Sequence, residues 1–92
     1  MYLEIVSPEA TLFAGEVTAV TLPGIDGEFQ MLNNHAPIVS ILQAGNVKIK
    51  GNVELDEAHG EKFSKASNGD TVLAISSGTV EMKNNKVIVL AD

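Results

Sequence analysis

Two carboxylates and one imidazole lie within ten residues of each other, at Asp26, Glu28 and His35. Side chains of these types can act as a general acid and base, or can together ligate a metal ion. The rest of the chain supports neither chemistry, because no serine stands on a recognisable nucleophile elbow and no glycine-rich loop carries a lysine that would hold a phosphate. Catalysis and metal binding are therefore the less favoured interpretations of this acid–histidine trio.

Two other interpretations suit the trio better. The three residues can be turn residues that keep a loop-rich edge in contact with water. They can also flank a protein-binding surface, because Phe29, Met31 and Leu32 place apolar side chains beside the acids, as in the core of many interfaces. We favour the partner-binding interpretation, and we expect no metal ion and no cofactor.

Turn signals around the trio predict how it is positioned. Pro23 and Gly24 suit the central positions of a type II turn after a strand that ends at Leu22. Asp26-Gly27 repeats the turn signal, and residues 28–32 then read as a short strand or bulged edge. From this arrangement we expect Asp26, Glu28 and His35 to lie near one rim of the molecule.

Alternating apolar residues between turn signals indicate about nine short strands and an all-β fold. Gly15 is predicted to be a bend between two of them, and Asn68-Gly69 and Asn84-Asn85 to be tight hairpin turns. The segment Val53–Ala66 is predicted to form an extended hairpin with His59-Gly60 near its tip. No amphipathic helix longer than two turns is expected. Besides the short strand or bulged edge at Glu28–Leu32, the nine predicted strands lie at Tyr2–Val6, Leu12–Phe13, Val17–Leu22, Ile38–Ile41, Val47–Lys50, Phe63–Ser67, Thr71–Ile75, Thr79–Lys83 and Lys86–Leu90.

Length and composition indicate one domain, residues 1–92, without a linker or repeat. The hydrophobic content of 45% with few aromatics suits a thin sandwich packed by aliphatic side chains. No cysteine is present, so neither a disulfide framework nor a thiolate metal site is available. The N-terminus does not read as a signal peptide, and no apolar run approaches the ~20 residues of a membrane-spanning helix, so we expect a soluble chain.

Charge is unevenly distributed along the chain. Residues 1–47 contain five acids and no lysine or arginine, whereas residues 48–92 contain seven acids and all six lysines. The two parts therefore carry net charges of −5 and −1, which together give −6. An anionic surface repels nucleic acid and anionic lipid, and it suits a basic protein partner.

Motifs along nearly the whole chain resemble the epsilon subunit of F-type rotary ATP synthases. The resemblance implies a flattened sandwich of two five-stranded sheets, in agreement with the strand count. Three positions depart from the usual pattern, since Gln30 and Ser77 stand where glycine is common and Asn33 where proline is common. Ser76-Ser77-Gly78 is expected to form a structural bend between two core strands, and if position 77 needs a positive φ, its serine would cost about 1 kcal/mol. The matching motifs are Leu22-Pro23-Gly24-x-x-Gly27-Glu28-Phe29, Leu32-x-Asn34-His35-Ala36-Pro37, Val6-Ser7-Pro8-Glu9, Leu12–Val17, Ile75-Ser76-Ser77-Gly78 and Val87–Asp92.

The resemblance implies a non-catalytic subunit of the central rotor stalk, which couples proton or sodium flow to ATP synthesis. It would sit as a peripheral protein on the cytoplasmic face of a bacterial inner membrane, bound to the gamma subunit and to the ring of membrane subunits. The residues that match the ring contact are Asp26, Glu28, Gln30 and His35. The residues that match the gamma contact are Ser7, Pro8 and His35.

Two expectations complete the interpretation. Family members commonly continue into a C-terminal helical hairpin that inhibits hydrolysis and in some bacteria binds ATP, and the sequence ends at Asp92 without residues for it. We therefore expect neither self-inhibition through such a hairpin nor nucleotide binding.

The alternative function is a small adhesion or carbohydrate-binding sandwich, which needs exposed aromatic platforms, but the chain has no tryptophan and one tyrosine. A metal-dependent hydrolase ranks third.

Overall fold

The computed structural model of the protein describes residues 1–55 and 59–92. Ten strands form within these ranges, and a single 3₁₀ turn at Gly60–Lys62 precedes the seventh strand. No helix in the described ranges has the length and apolar character needed to cross a membrane. The strands are β1 (Tyr2–Val6), β2 (Thr11–Glu16), β3 (Ala19–Gly24), β4 (Gly27–Leu32), β5 (Ile38–Leu42), β6 (Gly45–Lys50), β7 (Phe63–Lys65), β8 (Thr71–Ile75), β9 (Gly78–Lys83) and β10 (Lys86–Ala91).

The ten strands are arranged as two five-stranded sheets. Sheet I has the order β2-β1-β10-β9-β5, and sheet II has the order β4-β3-β6-β8-β7. β1 and β10 run parallel, and the other described pairs are antiparallel. The sheets meet at one corner, where Gly24 of β3 pairs with Leu42 of β5. The predicted all-β sandwich is confirmed.

The core lies between the sheets because inward and outward residues alternate along most strands. Leu3 and Ile5 of β1 are fully buried, and so are Val87 and Val89 of β10. Burying one such side chain stabilises the fold by about 1.5–3 kcal/mol. Sheet II contributes a matching set to the opposite side of the core, namely Val20, Leu22, Met31, Val47 and Ile49.

The predicted type II turn at Pro23-Gly24 is wrong, because both residues belong to β3. The chain reverses two residues later, at Ile25-Asp26, and Gly27 takes the positive φ of 117°. Pro23 lies where β3 leaves β6, which pairs with residues 19–21, and approaches β5. A proline lacks the N–H that a ladder requires, so this change of neighbour is a place where a strand tolerates it.

Two further local predictions are wrong. Gly15 lies inside β2 opposite Leu3, and the break between β2 and β3 falls at residues 17–18. The extended hairpin predicted for Val53–Ala66 is replaced in its described part by the 3₁₀ turn at Gly60–Lys62 and by β7, which pairs with β8. Residues 56–58 of that segment lie outside the described residues.

The two asparagine and glycine hairpin turns are confirmed. Asn84 and Asn85 have φ angles of 54° and 61°, and Gly69 has a φ of 92°. Asparagine and glycine tolerate this left-handed region better than other residues do. Ser77 is not among the positive-φ residues, so its substitution for glycine carries no such strain, and it forms the expected bend between β8 and β9.

Candidate partner-binding surfaces

The structure separates the acid–histidine trio. Asp26 lies in the turn before β4, Glu28 is the second residue of β4, and His35 follows the far end of that strand. A six-residue strand is about 20 Å long. The prediction that the trio lies near one rim is therefore wrong, because β4 is a full strand with turn residues at both of its ends.

Asp26 and Glu28 stay together on what we call the acidic hairpin, residues 25–30. Its acids and Gln30 are exposed, and so is Ile25 at its tip. Glu28 is already engaged, since its Oε2 lies 2.9 Å from the Nζ of Lys48 on β6. The pair is half-exposed, so solvent screens its attraction. The Glu28 carboxylate is therefore already paired with a lysine of the same chain in the free protein.

His35 lies in a loop that is tied to the β9–β10 turn. The Asn34 N–H donates to Asn85 Oδ1 at 2.7 Å, and Asn85 Nδ2 donates to Asn33 Oδ1 at 3.0 Å. The α-ammonium of Met1 donates to the same Asn33 oxygen at 2.9 Å. The imidazole itself is exposed and bonds locally, with Nδ1 2.8 Å from the carbonyl oxygen of Ala36. These bonds fit a structural role for the loop and leave the ring accessible.

Ser7 and Pro8 lie at the opposite end of the molecule from His35. Ser7 closes a turn after β1, where its Oγ accepts from the Ala10 N–H at 3.2 Å and its own N–H donates to the Ala10 carbonyl at 2.8 Å. The residues predicted to contact gamma therefore divide into a Ser7-Pro8 group and a separate His35 site.

A surface that the sequence analysis did not identify lies beside Ser7 and Pro8. On the outer side of sheet I, Ile41, Thr79, Leu90 and Val6 stand in one row across β5, β9, β10 and β1. The next row contains Val39, Glu81, Ile88 and Glu4, so it alternates apolar and acidic residues. Val39 is 77% exposed, Ile41 61% and Leu90 53%. We call this surface the apolar face and define it as Val6, Val39, Ile41, Ile88 and Leu90.

The apolar face continues into a shallow depression of about 420 Å³ that Ser7 and Pro8 border. A sequence signal for this face existed. Val87–Ala91 is apolar without interruption, and Ile38–Leu42 nearly so, although a strand that faces water on one side normally alternates. An uninterrupted apolar run indicates a strand whose two faces are both covered, either by the rest of the fold or by another protein.

The outer side of sheet II has the opposite character. Its central row contains Gln30, Thr21 and Lys48, which stand opposite one another across β4, β3 and β6. Ser64 and Ala74 lie exposed farther along the same sheet. The polar and charged side chains of this surface are stable in contact with water, although Leu32 at the end of β4 is exposed there too.

Neither alternative site is assembled within the described ranges. No three His, Cys, Asp or Glu side chains in those ranges lie close enough to hold a metal ion. The single tyrosine is not an open aromatic platform, because Tyr2 is 36% exposed and the Lys86 ammonium lies 5.7 Å from the centre of its ring. A cation over a ring occupies the face that a sugar would use.

Comparison with known proteins identifies the fold and the family. The family described as ATP synthase, Delta/Epsilon chain, beta-sandwich domain matches residues 1–92. The ATP synthase epsilon chain of Desulforamulus reducens is 38% identical over 90 residues, which cover 98% of this chain and 57% of that protein. The epsilon chain of Campylobacter curvus is 37% identical over 92 residues, which cover 100% of this chain and 60% of that protein.

A solved structure shares the fold at low sequence identity. A chain in the cryo-EM structure of the Tetrahymena thermophila mitochondrial ATP synthase central stalk/cring superimposes with a TM-score of 0.73 at 16% identity, covering 99% of this chain and 62% of that one. The chain spans somewhat more than half the length of the Desulforamulus and Campylobacter epsilon chains. Its sandwich, its motifs and the match over residues 1–92 show that the chain belongs to the family of ATP synthase delta and epsilon chain beta-sandwich domains.

Proposed function

We propose that the protein is a non-catalytic subunit of the central rotor stalk of a bacterial F-type ATP synthase. It binds the gamma subunit through the apolar face and the adjoining Ser7-Pro8 turn, and it binds the ring of membrane subunits through the acidic hairpin. Both contacts let rotation driven by proton or sodium flow pass along the stalk without slippage. These partners hold the protein at the cytoplasmic face of the membrane.

The apolar face is the observation that carries the gamma contact. Val39 and Ile41 are mostly exposed on a strand that is otherwise part of a packed sheet. Burying apolar surface stabilises a complex by about 25 cal/mol per Å². Covering this face with a protein partner is therefore favoured over leaving it in contact with water. The relatives' shared name, ATP synthase epsilon chain, supports placing the protein in that complex.

The acidic hairpin supports the ring contact by charge. Asp26 and Glu28 are exposed at the turn end of the β3–β4 hairpin, with Gln30 beside them. Loops of a membrane ring that offer basic side chains would meet complementary charge here, which fixes orientation more than it adds affinity. His35 lies away from this hairpin, so we assign it to a separate contact with gamma or the ring at the other end of β4.

The transmission of torque follows from packing. The two sheets enclose a continuous aliphatic core, and the described part contains no long helix that would have to reorder under load. Close-packed interiors are stiff. The protein therefore acts through rigidity and complementary surfaces rather than through a reaction.

Co-purification tests the proposal as a whole. The tagged full chain, expressed in its own cells and extracted in mild detergent, is expected to recover gamma, the catalytic subunits and the membrane ring. Recovery of none of these, or turnover of a substrate by the purified chain alone, would refute the assignment.

The charge-reversing variant Glu28→Lys tests the ring contact separately. We expect this variant to recover less ring than the parent and as much gamma, because it puts a cation against basic loops. Thermal unfolding should change by no more than ~1 kcal/mol, since the interaction lost inside the molecule is an exposed ion pair with Lys48. Undiminished recovery of the ring would remove the acidic hairpin from the contact.

A further inference from the structure

Lys48 already forms an ion pair with Glu28, the acid that a basic partner would bind. It lies on β6, and β3 separates β6 from the β4 strand that carries Glu28. The lysine side chain nevertheless crosses β3 to place Nζ 2.9 Å from Glu28 Oε2. Both side chains keep substantial exposure, 37% for Lys48 and 52% for Glu28, so the bond can open towards a partner without unfolding a strand.

Competition follows from this geometry. A basic group that binds Glu28 must displace the Lys48 ammonium or share the carboxylate with it. In either case a second positive charge remains a few ångströms away and repels the incoming cation. Measured exposed ion pairs are weak, so the internal bond lowers affinity without preventing binding.

We propose that Lys48 is an intramolecular competitor that sets the strength of the contact between the acidic hairpin and the membrane ring. This inference rests on the ring contact proposed above and adds a residue that does not itself need to touch the ring. The lysine keeps the carboxylate paired while the subunit is unassembled, and it holds the ring contact below the affinity that a free carboxylate would give.

Lys48→Met is the direct test, because methionine keeps most of the aliphatic stem and removes the charge. Binding is measured between the full chain and the detergent-solubilised membrane ring from the same cells, at low salt. We expect Lys48→Met to bind about two- to five-fold more tightly than the parent, the range that an exposed ion pair supplies. The gain should disappear near 1 M salt, where the screening length is about 3 Å.

Lys50→Met is the matched control. Lys50 lies two residues along the same strand on the same side, is exposed, and makes no ion pair within the described part of the chain. The two variants change net charge equally, so a general charge effect would raise both affinities alike. We expect the Lys50→Met affinity to stay near that of the parent. Equal gains in the two variants would overturn the competitor role.

Glu28→Gln distinguishes failure of this inference from failure of the ring contact. If Glu28→Gln weakens ring binding and Lys48→Met leaves it unchanged or weakens it, the contact stands and the competitor role is refuted. If Glu28→Gln leaves ring binding unchanged, the ring contact is refuted and the inference falls with it. In the Glu28→Gln background, Lys48→Met should give no gain, because the carboxylate it competes for is absent.

Discussion

Gly78 shows how one residue couples the strands of sheet I. It opens β9, pairs with Leu42 on one side and with Ala91 on the other, and lies against the backbone of β10. A β-carbon at this position would lie 2.5 Å from the carbonyl oxygen of Leu90. The motif Ser76-Ser77-Gly78 was assigned from the sequence as a structural bend, but this close approach depends on which strands become neighbours and has no local signal.

Gly78→Ala is therefore expected to lower the free energy of unfolding by about 1–3 kcal/mol, the usual cost of forcing atoms into a packed site. Urea unfolding of the two proteins gives the difference from their midpoints. Gly60→Ala is the control, because among the described residues the nearest atom to its new β-carbon would be Leu55 Cβ at an ordinary 3.7 Å. A Gly78→Ala midpoint equal to that of the parent would mean that the β9–β10 backbone approach is not rigid.

Among the elements, the β9–β10 turn combines local and tertiary roles. Asn84 and Asn85 both adopt the left-handed conformation, which the sequence predicts from residue type alone. Asn85 also bonds to the loop before His35, through its contacts with Asn33 and Asn34. The turn thereby fixes the position of a loop 51 to 52 residues away in sequence, which no local pattern indicates.

The two asparagines of this turn should respond differently to glycine. Asn84→Gly keeps the backbone conformation and should change stability by less than ~0.5 kcal/mol. Asn85→Gly also suits the turn but loses two side-chain hydrogen bonds, each worth about 0.5–1.5 kcal/mol, so we expect a net loss of roughly 1–2 kcal/mol. Amide hydrogen exchange at Asn34 should accelerate only in Asn85→Gly. Equal exchange in both variants would show that the side-chain bonds do not hold the loop.

Sequence patterns predicted the strands well and their breaks less well. Alternation and turn residues located most strands, because those signals act within a few residues. Gly15 and Pro23-Gly24 were misread as breaks because the same residues also occur where a strand bends or changes its neighbour. Which of these happens depends on pairing with β1, β5 and β6, and that pairing is tertiary.

At the scale of the whole molecule, the two outer surfaces of the sandwich differ. Sheet I presents the apolar face, and sheet II presents a polar row that includes Gln30 and Lys48. The sequence predicted a sandwich and an acidic contact at Glu28. The apolar face was missed because a strand that is apolar on both sides could equally lie between two covering layers. A two-layer fold leaves one of those sides uncovered, and only the assembled topology shows which.

Binding of the gamma subunit to two matched aspartate variants tests the central claim most directly. Val39→Asp charges the apolar face, and Ser64→Asp adds the same charge at an exposed strand position on sheet II. Affinity for gamma purified from the same cells is measured by biolayer interferometry, after equal urea midpoints confirm that both variants fold. The account predicts at least about tenfold weaker binding for Val39→Asp, equivalent to about 1.4 kcal/mol, and unchanged binding for Ser64→Asp. Equal affinities in the two variants, or a loss confined to Ser64→Asp, would contradict it.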